Sequence, residues 1–323
     1  MQRRVFLSGL ACAAVTGVGR TALAQEYPVR PIRFIVPYPP AGGTDIVLRS
    51  FSEQLGQALG QPIVIDNRGG AAGNVGTEVA ARATPDGYTV LFTLSSHTIN
   101  PKLYGKLPFD VEKDFNAVSL AASVPQILVA NLGAPFNTVQ EMIAYAKANP
   151  GKLNFASVGT GSPAHIAGEL LKLKAGIDIV HVPYKGGGPA VADTLGGQVQ
   201  MAFVSLPAAW QHVKAGRLKA IAVTSAKRTV AAPDVPTLVE SGVPECVVDS
   251  WYGAFVPAKT PPGAIAKLNA AMHAVLQKPE VKERLLQQGA EAATSTPQDL
   301  DARVHDELAK WEYVIRAANI KPE

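Results

Sequence analysis

The chain has 323 residues, about twice a common single-domain length, so one large domain or two lobes are both open. With 47% hydrophobic and 17% charged residues it falls outside the disordered and fibrous classes and can bury a sizeable core. The formal charge of +4 is no nucleic-acid signal: Arg3, Arg4 and Arg20 sit in an acid-free stretch of 24 residues, and the rest carries 27 bases against 26 acids, a net of +1.

Residues 1–24 read as an export signal. Arg3 and Arg4 precede an uncharged run over 5–19, and Ala22-Leu23-Ala24 supplies the small-x-small pattern of a signal-peptidase site, so the mature chain is expected to begin at Gln25. The run is shorter than the roughly 20 apolar residues of a membrane span. Arg3-Arg4-Val5-Phe6-Leu7 also resembles a twin-arginine export signal. Lipidation of Cys12 is an alternative, with Gly9 against it. After cleavage Cys246 is the only cysteine, which excludes an internal disulfide. Its neighbours Val247 and Val248 read as the entrance to a buried strand and its thiol as inert.

Along the mature chain, β-branched runs at 32–36, 62–66 and 88–92 predict strands, with a helix carrying Val47, Leu48, Phe51, Leu55 and Leu59 between the first two. Further strands are predicted at 127–130, 153–156, 179–182, 199–204 and 218–223. The alternation with helical patterns predicts an α/β fold with mostly parallel sheets covered on both faces. That many strands are crowded for one sheet, so two lobes are expected: 25–127 with 251–323, and 128–250. The chain would cross between them without a linker and return near 250–256. Three helices, each opened by a proline, are predicted at 261–277, 279–288 and 297–318. Leu300, Val304, Leu308, Trp311 and Ile315 mark the apolar stripe of the last.

Three segments share one design: a strand, a glycine-rich turn, a helix start. The first is Pro37-Tyr38-Pro39-Pro40-Ala41-Gly42-Gly43-Thr44-Asp45, with Thr44 placed as helix N-cap. The second runs Ser157-Val158-Gly159-Thr160-Gly161-Ser162-Pro163-Ala164-His165, with Ser162 as cap and Pro163 at the first helical position. The third is Pro183-Tyr184-Lys185-Gly186-Gly187-Gly188-Pro189. Glycines there let backbone N–H groups face a ligand, and the helix start adds positive potential, a chemistry suited to a carboxylate or phosphate. Glycines also simply shape tight turns; three at corresponding strand ends favour binding.

Chemistry of other kinds finds little support. Gly159, Gly161 and Ala164 match a dinucleotide fingerprint, but Asp178 precedes the next strand instead of ending it. No Walker-type lysine occurs. The histidines His97, His165, His181, His212, His273 and His305 show no metal-ligand spacing. Ser162 and His165 lack a nucleophile elbow, so no catalytic residue, metal or cofactor is expected. His165, in the first turn of its helix, is expected to orient the loop or touch a ligand.

At these loops the chain resembles the solute-binding receptors of the tripartite tricarboxylate transporter family, the Bug-type receptors. The matching segments lie in order at 27–36, 37–45, 64–76 and 85–89, at Phe109-Asp110 with Asp114-Phe115, and at 153–169, 182–193 and 251–257. The resemblance implies a two-lobed periplasmic-binding-protein-like fold of type II with the ligand cleft between the lobes. It implies a periplasmic monomer that performs no chemistry and hands a small organic carboxylate to a two-subunit membrane permease. A membrane sensor kinase could use the same liganded receptor. Carried over residue by residue, the ligand-binding loops are Tyr38, Pro39, Ala41, Gly42, Gly43 and Thr44, opposed by Gly159, Thr160, Gly161, Ser162 and His165. Asp45 either braces its loop or meets an ammonium or hydroxyl on the ligand. Ser95 and Ser96 follow the third strand, Tyr184 and Gly187 form a wall, Ser205 is a candidate for the floor, and Trp210 is either core or wall.

Overall fold

The structure is a computed structural model and describes residues 27–317 and 320–321. The expected leader and its cleavage site lie outside these residues.

From the amino terminus, β1 (Ile32–Val36) leads through a glycine turn into α1 (Gly43–Arg49) and α2 (Ser52–Leu59), then β2 (Ile63–Asn67), α3 (Asn74–Ala81), β3 (Thr89–Leu94) and α4 (Ser96–Tyr104). The sequence pattern suggested one helix over 47–59. The chain instead bends at Phe51 (φ −136°, ψ −2°), a break that no glycine or proline announces. Next comes β4 (Phe115–Ala130), a strand of 16 residues of which only the last four were expected. Its first half alternates small and polar residues and ends at Pro125, which hid it from a periodicity argument.

The chain continues with α5 (Val139–Ala148), β5 (Asn154–Ser157), α6 (Pro163–Ala175), β6 (Val180–Pro183), α7 (Gly187–Leu195), β7 (Met201–Ser205), α8 (Leu206–Lys214) and β8 (Lys219–Val223). It then runs through β9 (Asp249–Pro257), α9 (Pro262–Leu276), α10 (Pro279–Gln287), the short β10 (Glu291–Ala292) and α11 (Pro297–Ala317). The strands run in the order β2-β1-β3-β9-β4-β7-β5-β6, with β8 and β10 also paired to β4.

Pairing along β4 divides this path. Residues 115–125 of β4 pair with β9, while Gln126–Ala130 pair with β7 and β8, all antiparallel. At the changeover Pro125 stands opposite Asp249 and Gln126 opposite Ser205. A proline fits here because it has no N–H to give to a ladder that is changing partners. On either side β1 runs parallel to β2 and β3, and β5 parallel to β6 and β7. The sheets are therefore mixed: β4 and β9, which cross between the two parallel blocks, run against their neighbours.

The closing helices fold back on the first block. α9 contacts α2 and β4, and α11 contacts α4 and β4. The stripe Leu300, Val304 and Leu308 packs with Ile35, Leu91, Trp251 and Phe255, and Trp251 Nε1 donates to Glu307 Oε1 at 2.9 Å. Burying an indole with its N–H paired gains apolar contact without a desolvation penalty. Cys246 is fully buried, and burial pushes its thiol up to about 12, which keeps it protonated.

Candidate functional site

The starts of four helices meet at one place. Gly43 opens α1, Pro163 opens α6, Gly187 opens α7, and Ser205 is the residue before α8. All four line one narrow cavity, together with Tyr38, Gly42, Thr44, Leu94, Gln126, Val158 and Tyr252. None of these side chains is charged. Helix starts present unpaired N–H groups and the positive end of the helix dipole, so the cavity is electropositive without holding a cation.

The first loop is built to hold that geometry. Tyr38 is buried, and its hydroxyl donates to the Ala72 carbonyl at 3.0 Å and also contacts Ser96 Oγ. Asp45 is 3% exposed and faces its own loop: Oδ2 accepts from the Ala41 N–H at 3.0 Å and from Arg49 Nε at 2.9 Å, and Oδ1 accepts from Asn67 Nδ2 at 3.2 Å. Asn67 Nδ2 also donates to the Tyr38 carbonyl at 3.0 Å, tying β2 to the loop. Asp45 therefore anchors Ala41, whose φ of +61° is a left-handed conformation that alanine adopts at a cost. The expected Thr44 cap is replaced by Gly42, whose extended backbone precedes the helix, while Thr44 sits inside the first turn.

The second loop is occupied with itself. The N–H of Gly159 donates to Ser157 Oγ at 3.1 Å, that of Gly161 to His165 Nδ1 at 3.2 Å, and that of Ser162 to the Gly159 carbonyl at 3.0 Å. Ser162 Oγ caps α6 by accepting the His165 N–H at 3.2 Å. Serine and imidazole are thus each committed to backbone and do not form a nucleophile–base pair. His165 stacks on His181 with ring centroids 4.2 Å apart, and Ser157 Oγ lies 2.7 Å from His181 Nε2. Burial, aided by His181, pushes His165 down to about 3, so the ring is neutral and its Nδ1 remains an acceptor. The Thr160 carbonyl accepts from Tyr104 Oη at 2.7 Å, a bond that crosses from the β5 turn to α4.

The third loop meets the first backbone to backbone. A Cβ on Gly42 would stand 3.7 Å from Gly187 N, and one on Gly188 would stand 3.1 Å from the Pro40 carbonyl oxygen. Gly186 has no room for a side chain, because Pro39 Cδ would lie 2.6 Å from it. The Tyr184 hydroxyl donates to Asp193 Oδ2 at 2.7 Å along α7. Across this junction the N–H groups of Gly43 and Thr44, and of Gly187 and Gly188, have no hydrogen-bond acceptor among the described residues.

Of the residues singled out from the sequence, Tyr38, Gly42, Gly43, Thr44, Gly187 and Ser205 line the cavity. Pro39, Ala41 and Asp45 support it from behind; Gly159, Thr160, Gly161, Ser162, His165 and Tyr184 form the surrounding turns. Ser96 reaches it through Tyr38, and Ser95 Oγ instead faces Ser250 Oγ at 2.9 Å. Trp210 is half-buried against the core. Sequence reasoning missed Leu94, Gln126, Val158, Pro163 and Tyr252 as lining residues. Gln126 carried a signal: it is the lone polar side chain of the apolar run 124–130.

Comparison with known proteins points one way. The description of the tripartite tricarboxylate transporter family receptor matches residues 47–320. Protein BugT of Bordetella pertussis (strain Tohama I) is 38% identical over 310 residues, covering 95% of each chain. The solved structure of the periplasmic binding protein BugD is 35% identical with a TM-score of 0.88, covering 92% of this chain and all of that one. R. palustris Rpa4515, solved with adipate, is 34% identical with a TM-score of 0.89 over the same shares.

Proposed function

This chain belongs to the tripartite tricarboxylate transporter family of receptors, and on that premise we propose that it traps a small organic carboxylate between the helix starts of two closing lobes. It is a solute-binding receptor with the α/β periplasmic-binding-protein fold, and such receptors bind their solute without transforming it.

The observation that carries the reading is the pairing of two sets of unpartnered amides, Gly43 and Thr44 against Gly187 and its neighbour Gly188, the first three lining one uncharged cavity. A hydrogen bond to a charged group contributes roughly 1.5–3 kcal/mol, so four amides supply about 6–12 kcal/mol before closure costs. Micromolar binding requires about 8 kcal/mol. An arginine clamp is unnecessary. In this account the loop at 159–162 is a wall that positions α6, because the amides of Gly159, Gly161 and Ser162 are engaged, and Asp45 is a brace instead of a ligand group. The bound adipate of the Rpa4515 structure supports a carboxylate as the solute class.

The lobes are assigned as 25–127 with 251–323, and 128–250. Supporting this, β4 changes partners between Pro125 and Gln126, and β9 starts at Asp249. Delivery to a two-subunit membrane permease, a periplasmic location after cleavage near Ala24, and a monomeric receptor complete the proposal. Service to a membrane sensor kinase would use the same closed form. Calorimetry of the chain from Gln25 against adipate, malate, citrate, glutamate and benzoate tests the reading: one-site micromolar binding of at least one acid is expected. Binding of none, with no acid co-purifying, would reject it.

A further inference from the structure

Gln126 stands where β4 leaves one parallel block for the other, one residue beyond Pro125. Its backbone is fixed twice to the neighbouring segment: its N–H donates to Thr224 Oγ1 at 3.1 Å, and its carbonyl accepts from the Thr224 N–H at 2.9 Å. Its side chain lines the cavity and is 2% exposed, yet the carboxamide has no hydrogen-bond partner among the described residues. A carboxamide that faces a cavity with neither donor nor acceptor met is ordinarily paired by what fills that cavity.

We propose that Gln126 is a specificity-determining residue of the cleft, reading a hydrogen-bonding group on the ligand other than the captured carboxylate. This rests on the carboxylate reading above and extends it to a ligand class: acids with a second polar function, such as a hydroxyl or a further carboxyl group. Three features single out Gln126. The amides of α1 and α7 supply only donors, whereas a carboxamide offers two donors and an acceptor. Among the lining side chains, Leu94, Val158 and Pro163 are apolar, the Tyr38 hydroxyl is committed to Ala72 and Ser96, and the Tyr252 hydroxyl is engaged with Ser205 and Thr44. Gln126 also stands at the crossing point of the two blocks, where it faces a ligand held between them.

The test uses Gln126→Met, which keeps length and approximate volume but removes both hydrogen-bonding functions, with Gln126→Leu as a second variant. Wild type and variants are titrated calorimetrically with matched pairs that differ in one polar group: adipate and hexanoate, malate and succinate, 4-hydroxybenzoate and benzoate. The wild type is expected to prefer the more polar member of at least one pair. In both variants that preference should shrink about tenfold while the less polar member binds as before, because a buried polar group discriminates against ligands that leave it unpaired. Equal loss across a pair, or an unchanged preference, overturns the inference while leaving the carboxylate reading intact. Absence of any binding by the wild type overturns both. Thermal midpoints within a few degrees of the wild type, in at least one variant, establish that the fold persists.

Discussion

Gly43 and Ser205 face each other across the cleft so closely that a Cβ on Gly43 would lie 2.0 Å from Ser205 Oγ, and 2.5 Å from Tyr252 Oη. The glycine is needed for space: α1 begins here against the start of α8. Gly43→Ala is therefore expected to prop the lobes apart and weaken carboxylate binding at least tenfold, and Gly43→Val to abolish it. Opening relieves the overlap with Ser205 but not that with Tyr252, which belongs with Gly43, so a stability loss of roughly 1–3 kcal/mol, typical of overpacking, should accompany the loss of affinity. Calorimetry with a parallel thermal melt separates the two effects; near-normal affinity in Gly43→Val would refute the arrangement.

Asp45 holds Ala41 in its left-handed conformation and joins β2 to the loop through Asn67. Asp45→Ala leaves the Ala41 N–H and the Asn67 carboxamide each short of an acceptor, at a cost of about 1–3 kcal/mol. The thermal midpoint should fall by several degrees. Asp45→Asn, which keeps an acceptor but loses the charge facing Arg49, should lie between the two. A ligand-contacting role for Asp45 would instead lower affinity at unchanged stability.

His97 packs between Phe115 and Phe255, ring centroids 5.3 and 4.5 Å away, and neither of its ring nitrogens has a hydrogen-bond partner. Burial pushes it down to about 3, as it does His165. Both rings are neutral in the fold and take up protons on unfolding below about pH 6.5, so stability is full above that pH and declines as the pH drops toward 3. At pH 5 the loss is about 2 kcal/mol for each ring. His97→Phe should match the wild type at pH 7 and lose less stability at pH 5. Urea midpoints at the two pH values check this; a parallel decline in both proteins would contradict it.

Tyr104 Oη bonds the Thr160 carbonyl at 2.7 Å, linking α4 to the turn after β5. If closure includes this link, Tyr104→Phe should weaken ligand binding two- to tenfold, in line with about 0.5–1.5 kcal/mol for one hydrogen bond. The loss should appear mainly as faster dissociation in stopped-flow fluorescence. An unchanged off-rate would remove the bond from the closing mechanism.

Much of the site was legible because its components are local. A strand, a glycine turn and a capped helix leave marks in a few consecutive residues, as at Ser162-Pro163 and Gly186-Gly187-Gly188. What stayed hidden depends on distant partners. Nothing in the turn Gly159-Thr160-Gly161 reveals that the amides of its two glycines are taken by Ser157 and His165, whereas those of Gly43 and Gly187 have no acceptor among the described residues. Tyr252 enters the cavity only because β9 returns beside β3. The first half of β4 was hidden because small and polar residues such as Asn116, Ser119 and Ser123 weaken its apolar signal, and Pro125 reads as a breaker until the partner change is seen.

The proposed capture of the carboxylate rests on unpaired main-chain amides at the starts of α1 and α7. Amide chemical shifts of isotope-labelled protein, followed while the tightest-binding acid of the calorimetric panel is added, test it most directly. The Gly43, Thr44, Gly187 and Gly188 resonances are expected to move downfield together and furthest, as N–H groups gain an anionic acceptor. Saturable binding that leaves those four in place while Gly159, Thr160 and Gly161 move would contradict the claim and return capture to the second loop.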